Sequence, residues 1–92
     1  MKVRYRALAL ADIDKIFNFL NDRSPTGARN VLRALYEAID EIAAHPLASP
    51  RTSDPDIRVK VLGRYRYRVF FSVGRGEIEI IHIRHGARRP WA

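Results

Sequence analysis

The sequence contains no cysteine. A small chain without disulfides or thiolate ligands must stand on packing, alone or with a partner, and this usage fits a reducing compartment. Long apolar runs are missing too: no stretch approaches the roughly 20 residues that span a bilayer. The opening Met1-Lys2-Val3-Arg4-Tyr5-Arg6 has none of the apolar character of a signal peptide. The expectation is a cytoplasmic protein with no membrane segment. Histidine is limited to His45, His82 and His85, and without cysteine or a His-rich motif no metal site is expected. A glycine-rich phosphate loop and a nucleophile motif are also lacking, so no cofactor is expected.

Acidic residues are scarce relative to basic ones, ten against seventeen, for a net charge of +7. The excess is uneven. Residues 1–46 hold seven Lys and Arg against six Asp and Glu, whereas residues 47–92 hold ten against four. The positive field therefore belongs to the second half, which suits an anionic partner: nucleic acid, an acidic peptide or an acidic protein surface. The bland alternative is a solvated basic face that only aids solubility. With 92 residues, 47% of them hydrophobic, the chain has room for one domain, 1–92, and too much apolar content for disorder.

Periodicity gives the order of elements. Val3 and Tyr5 alternate with Lys2, Arg4 and Arg6, as in a short half-buried strand. Leu10, Ile13, Phe17 and Leu20, widened by Ile16, then predict an amphipathic helix over roughly 8–22, with Asp12, Asp14 and Lys15 off the stripe. Ser24-Pro25 is a helix start, since serine caps free N–H groups and proline suits the first helical position. A second stripe runs through Ala28, Val31, Leu32, Leu35, Ile39 and Ile42 until Pro46 ends it. So short a link makes the helices an antiparallel hairpin. Residues 46–56, rich in Pro, Ser and Asp, read as an irregular loop.

Period two returns in Ile57, Val59 and Val61, and again in Tyr65, Tyr67, Val69, Phe71 and Val73. Gly74-Arg75-Gly76 is a hairpin turn. Residues 77–84 are apolar on both faces, as a central strand would be. The predicted class is α+β: an N-terminal strand, then a helical hairpin packed on one face of an antiparallel sheet. Tyr67, Val69, Phe71, Ile81 and Ile83 are expected to meet the helices. Arg66, Arg68, His82 and Arg84 are expected on the opposite face, mixed with Phe70, Ile80 and Leu62. Exposed area of that kind marks a partner, and an extended acidic peptide would pair its carboxylates with the guanidinium forks. The competing expectation is that the C-terminal tail covers Phe70 and Ile80 through Trp91.

Catalysis has less support. His82 and His85, three apart on a strand, project to opposite faces and cannot easily share a metal. His45 suits the end of a helix dipole, and Glu77 and Glu79 are expected in solvent. A metal-free ribonuclease would need a base, an acid and cations at the phosphorane. Arg58, Lys60, Arg68 and Arg88 offer cations and His82 or His85 a proton shuttle, although nothing in the spacing brings them together.

The run Gly63-Arg64-Tyr65-Arg66-Tyr67-Arg68-Val69-Phe70-Phe71-Ser72-Val73, followed by Ile80-Ile81-His82-Ile83-Arg84-His85-Gly86-Ala87-Arg88, resembles the RelE/ParE toxin superfamily over nearly the whole chain. The His-Gly-Ala-Arg ending is similar to the ParE, or plasmid stabilisation, branch. That resemblance implies a toxin that blocks DNA gyrase and forms a hetero-oligomer with a neutralising antitoxin, with no catalytic residue. Arg66, Arg68, Phe70, Ile80, His82, Arg84, Arg88 and Trp91 are then the expected partner-binding residues. The alternative it implies is the RelE branch, which cuts mRNA on the ribosome; there Arg58, Lys60, Arg68, His85 and Arg88 would be catalytic. The tail Arg89-Pro90-Trp91-Ala92 lacks the tyrosine common in that branch, which favours the non-nuclease.

Overall fold

The computed structural model describes residues 1–86. Its order is β1 (Lys2–Tyr5), α1 (Ala7–Asn21), α2 (Pro25–Ala44), a 3-10 turn (Pro46–Ala48), β2 (Arg58–Leu62), β3 (Tyr67–Val73) and β4 (Glu77–His85). The four strands form one sheet in the order β1-β4-β3-β2. β2, β3 and β4 are antiparallel neighbours as expected, while β1 joins β4 in parallel. The sheet is therefore mixed, and the doubly apolar β4 occupies a central position.

Local chemistry accounts for the boundaries. Ser24 Oγ accepts from the Gly27 amide at 3.1 Å, and Pro25 opens α2. At the other end the His45 amide donates to the Glu41 carbonyl at 2.8 Å before Pro46 stops the helix. Gly76, with φ of +66°, turns β3 into β4 in a conformation that costs glycine little.

The core lies between the sheet and the helical hairpin. Val69, Phe71, Ile78, Ile80 and Ile83 from the sheet meet Leu35, Ile39 and Ile42 of α2 and Ala9 and Ile13 of α1. The α1 stripe is displaced by one residue from the predicted one. Ala9, Ile13, Ile16 and Leu20 carry the contact, and Leu10 is half exposed. Asp12, read as lying off the apolar stripe, is buried.

Two register features redistribute the later strands. Residue pairing runs Phe70 with His82 and then Phe71 with Ile80, so Ile81 is an extra residue in β4. Such a bulge inverts the alternation on one side of it. Ile80 consequently lies in the core with no solvent exposure, and Ile81 leaves it, the reverse of the expectation for both. In β2, Leu62 pairs with Tyr67 and Lys60 with Val69, which places Leu62 in the core and turns Val59 and Val61 outward. Leu62 is thus another correction. Tyr65 and Arg66 belong to the turn between β2 and β3 rather than to a strand.

Candidate partner-binding face

The helices cover one face of the sheet, and the residues of interest sit on the other. Alternation about Tyr67, Val69 and Phe71 sends Arg68, Phe70 and Ser72 to the open side. The pairings then bring Arg68 directly opposite Arg84, and Phe70 opposite His82. Like charges placed opposite each other across a ladder are destabilising. None of the described carboxylates forms an ion pair with Arg68.

Farther along the same face the charges cancel. Arg4 Nη1 lies 3.2 Å from Glu77 Oε1, and Arg6 Nη2 lies 3.0 Å from Glu79 Oε1. Both glutamates, expected in solvent, are only partly exposed and bridge β4 to the N-terminal strand. These pairs neutralise charge at the β1 end of the face.

Between the two ends lies a pocket of about 290 Å³ lined by Thr52, Ser53, Asp54, Ile57, Phe70, Ile81 and His82. Its floor is apolar: Phe70 is 6% exposed and its ring stacks on His82 at 6.2 Å between centroids. The loop before β2 forms one wall. Thr52 fixes that loop, its amide donating to the Ile57 carbonyl at 2.8 Å and its hydroxyl to the Ile57 and Asp54 carbonyls at 3.0 Å. The open face is thus partly roofed by residues 51–57, a feature that composition alone did not reveal.

His82 is held from the helix side. Its Nδ1 lies 2.5 Å from Asp12 Oδ2, and the same oxygen accepts from the Ile83 amide at 2.9 Å. The reason is topological. β1 pairs with β4 only as far as Ile80, so beyond that point the edge of β4 needs another acceptor. Asp12 supplies it from α1. A carboxylate accepts, which assigns the proton of the pair to Nδ1 and leaves Nε2 away from Asp12. Sequence reading missed Asp12 because the α1 stripe was centred one residue too far along; centred on Ala9 and Ile13, the stripe has Asp12 at its margin.

The remaining assigned residues separate. Arg58 and Lys60 point to the helix side of β2, where Arg58 Nη1 donates to the Ser49 carbonyl at 2.7 Å and Lys60 Nζ meets Glu41 Oε2 at 2.9 Å. The hydrogen bond and positive charge of Lys60 hold the Glu41 carboxyl below its ordinary 4.5, against a small opposing effect of burial. These two cations do not converge with Arg68. His85 sits edge-on to Tyr67, 5.0 Å between centroids, on the face opposite His82. Arg66 is exposed in its turn at φ of +59°, and its carbonyl accepts from the Gly86 amide. A Cβ at position 86 would come within 2.8 Å of that carbonyl oxygen and 3.4 Å of Arg68 Nε. Glycine is required where the end of β4 closes on the β2–β3 turn. Arg88 and Trp91 lie outside the described residues. Among the described residues no group of three or more metal-ligating side chains gathers, and no helix is long and apolar enough to cross a membrane.

A family description, "ParE toxin of type II toxin-antitoxin system, parDE", matches residues 3–90. The chain belongs to the ParE toxin family. Among solved structures, this ParE-family chain is similar to one titled "Chromosomal ParDE TA system from P. aeruginosa", with a TM-score of 0.81 and 23% identity over 92% of this chain and 95% of that one. It is also similar to the isolated E. coli RelE toxin, with a TM-score of 0.67 and 16% identity over 97% of this chain and 87% of that one. At these identities the likenesses concern the fold. No curated protein sequence matches significantly. The ParE membership makes the chain a toxin of a type II toxin–antitoxin system, a class whose partner is an antitoxin.

Proposed function

We propose that this ParE-type toxin inhibits DNA gyrase, and so replication, until a cognate antitoxin binds and neutralises it. The observation that carries the reading is the family match across residues 3–90, nearly the whole chain. The charge distribution supports it: the second half, with ten basic residues against four acidic ones, suits contact with a topoisomerase or its DNA complex. The protein acts in the cytoplasm, and no residue of it performs chemistry.

The ribonuclease alternative loses support from the placement of its cations. Arg58 and Lys60 are engaged on the helix side by Ser49 and Glu41, away from Arg68, so the charge needed around a phosphorane is divided between two faces.

The test is direct. Purified toxin is titrated into a gyrase supercoiling reaction, and in parallel into a translating ribosome system. Loss of supercoiling with intact message is the expected result. Full supercoiling at large toxin excess would falsify the gyrase assignment, and codon-linked cuts abolished by Arg68→Ala would replace it with the nuclease.

A further inference from the structure

On the toxin–antitoxin membership given above, we infer that the outer edge of β1 is a docking strip for an acidic, extended segment of the antitoxin. That segment joins the sheet as a further strand and alternates carboxylate with apolar side chains.

β1 and β2 are the two edges of the sheet, and they are finished differently. Beside β2 the chain doubles back on itself: the Val59 amide donates to the Pro50 carbonyl at 3.0 Å, and Arg51 bridges to Arg58. Beside β1 no such cover is found among the described residues. The Lys2 amide donates to the Gly76 carbonyl at 3.1 Å and the Arg6 amide to the Ile80 carbonyl at 2.9 Å. Main-chain direction alternates along a strand, so Val3 and Tyr5 turn their N–H and C=O groups outward. Within the described residues these groups take no hydrogen-bond partner. A row of unpaired main-chain groups is a template for another strand.

Residues 87–92 do not account for this edge. Val3 pairs with Ile78, which precedes Gly86 along β4 by a distance of about 26 Å. Six residues span at most about 22 Å even when fully extended.

The flanking side chains select the strand. Val3 and Tyr5 pack only partly on the core, so a neighbouring strand gains by covering them with apolar residues. Lys2, Arg4 and Arg6 lie on the opposite face. Arg4 and Arg6 each engage a glutamate of β4 through one nitrogen and keep more than half of their side-chain surface exposed. The other guanidinium N–H groups are available to a second carboxylate from the outer side.

The same cations exclude a second copy of this chain. A two-fold antiparallel pairing of β1 with itself sets Arg4 against its own copy and Lys2 against Arg6, and like charges in register are destabilising. Nucleic acid carries no main-chain amides to enter a ladder. An acidic strand satisfies both the edge and its cations.

The experiment uses the 92-residue toxin and fluorescein-labelled peptides, read by fluorescence anisotropy. The lead peptide alternates glutamate and valine over five positions, glutamate first, between serine flanks. Others replace the glutamates by lysine, replace the valines by serine, or N-methylate either the glutamates or the valines. The lead peptide is expected to bind, with a loss of about tenfold or more for each replacement. One N-methylated set should abolish binding and the other spare it, because only alternate amides face β1; equal effects overturn main-chain pairing. On the toxin, Val3→Pro removes one outward donor while the β4 ladder keeps its bonds. It should weaken binding about fivefold beyond Val3→Ala, which controls for lost packing. Lys2→Gln/Arg4→Gln should weaken binding and flatten its salt dependence. Arg29→Gln on α2 should change nothing. Circular dichroism and melting confirm that each variant is folded. Absence of peptide binding to millimolar concentration, or equal binding by Val3→Pro and Val3→Ala, overturns the proposal. A toxin that sediments as a dimer, dissolved by Val3→Pro, also overturns it and gives the edge to a second copy. None of these readings involves gyrase, so this site and the gyrase reading fail separately.

Discussion

On the helix side of the sheet Val69, Phe71, Ile78 and Ile80 are fully enclosed, whereas on the other side Arg68 faces Arg84 and Val61 is 55% exposed. The same three strands supply both surfaces. On the covered side each position is filled by what packs best, and polar groups appear only where they are satisfied, as Asp12 is by Ile83 and His82. On the open side Arg68 and Arg84 stand in register and an apolar pocket lies beside them. One bulged residue, Ile81, decides which isoleucine belongs to which side.

That division can be tested at its boundary. The largest effect is expected from Ile80→Ala, which empties a fully buried site and should cost about 2–5 kcal/mol in chemical denaturation. Ile81→Ala, one residue along, should cost under about 1 kcal/mol because its side chain already reaches solvent. Equal losses would mean that the bulge lies elsewhere. Gly86→Ala comes next: its Cβ would meet the Arg66 carbonyl at 2.8 Å, and overpacking of this kind costs about 1–3 kcal/mol. An unchanged melting temperature would contradict the close approach.

Asp12→Ala sharpens the comparison from the covered side. It leaves the Ile83 amide without its acceptor, for a cost of about 1–3 kcal/mol, and hydrogen exchange should show that amide losing protection while Val69 keeps its own. The smallest effect concerns pH. Glu41 is held below 4.5 by Lys60 in the folded chain, so the stability it contributes is present above the unfolded value and is lost as the pH falls through the folded one. Lys60→Gln should flatten this acid limb slightly, since the pair is exposed. On the alkaline side Tyr5 is raised above 10.0 by burial and by Tyr36 and Asp40. Its contribution is present below pH 10 and lost as the pH rises beyond it, and Tyr5→Phe should remove that loss.

Much of the architecture was readable from the chain. Ser24-Pro25 and Pro46 bounded α2, the hairpin at Gly74-Arg75-Gly76 formed where expected, and the doubly apolar 77–84 segment is central in the sheet. These are local signals, set by capping, turn geometry and period. The face assignments were read less well because they depend on register. Ile80, Ile81 and Leu62 were assigned to the wrong sides, since a period-two pattern does not announce a bulge, and β2, with Arg58 and Lys60 on one side and Val59 and Val61 on the other, alternates equally well either way. At this sheet edge the long basic side chains of Arg58 and Lys60 reach Ser49 and Glu41 along the rim of the core, while Val59 and Val61 face the other way. Asp12 was hidden for a different reason. Its role depends on where β1 stops beside β4, a tertiary fact without a sequence mark. Arg68, His82 and Arg84 were placed on the open face correctly, and Gly86, read only as part of a motif, acquires a steric reason.

The division between the two sides of the sheet turns on one extra residue, Ile81, between Ile80 in the core and His82 on the opposite face. Nuclear Overhauser contacts from the isoleucine methyl groups of isotope-labelled protein test it most directly. The Ile80 methyls are expected to contact core side chains such as Leu35 and Ile39, and the Ile81 methyls to contact Ile57 and Phe70. Ile81 methyls in contact with Leu35 or Ile39, and Ile80 methyls in contact with Ile57, would contradict the bulge.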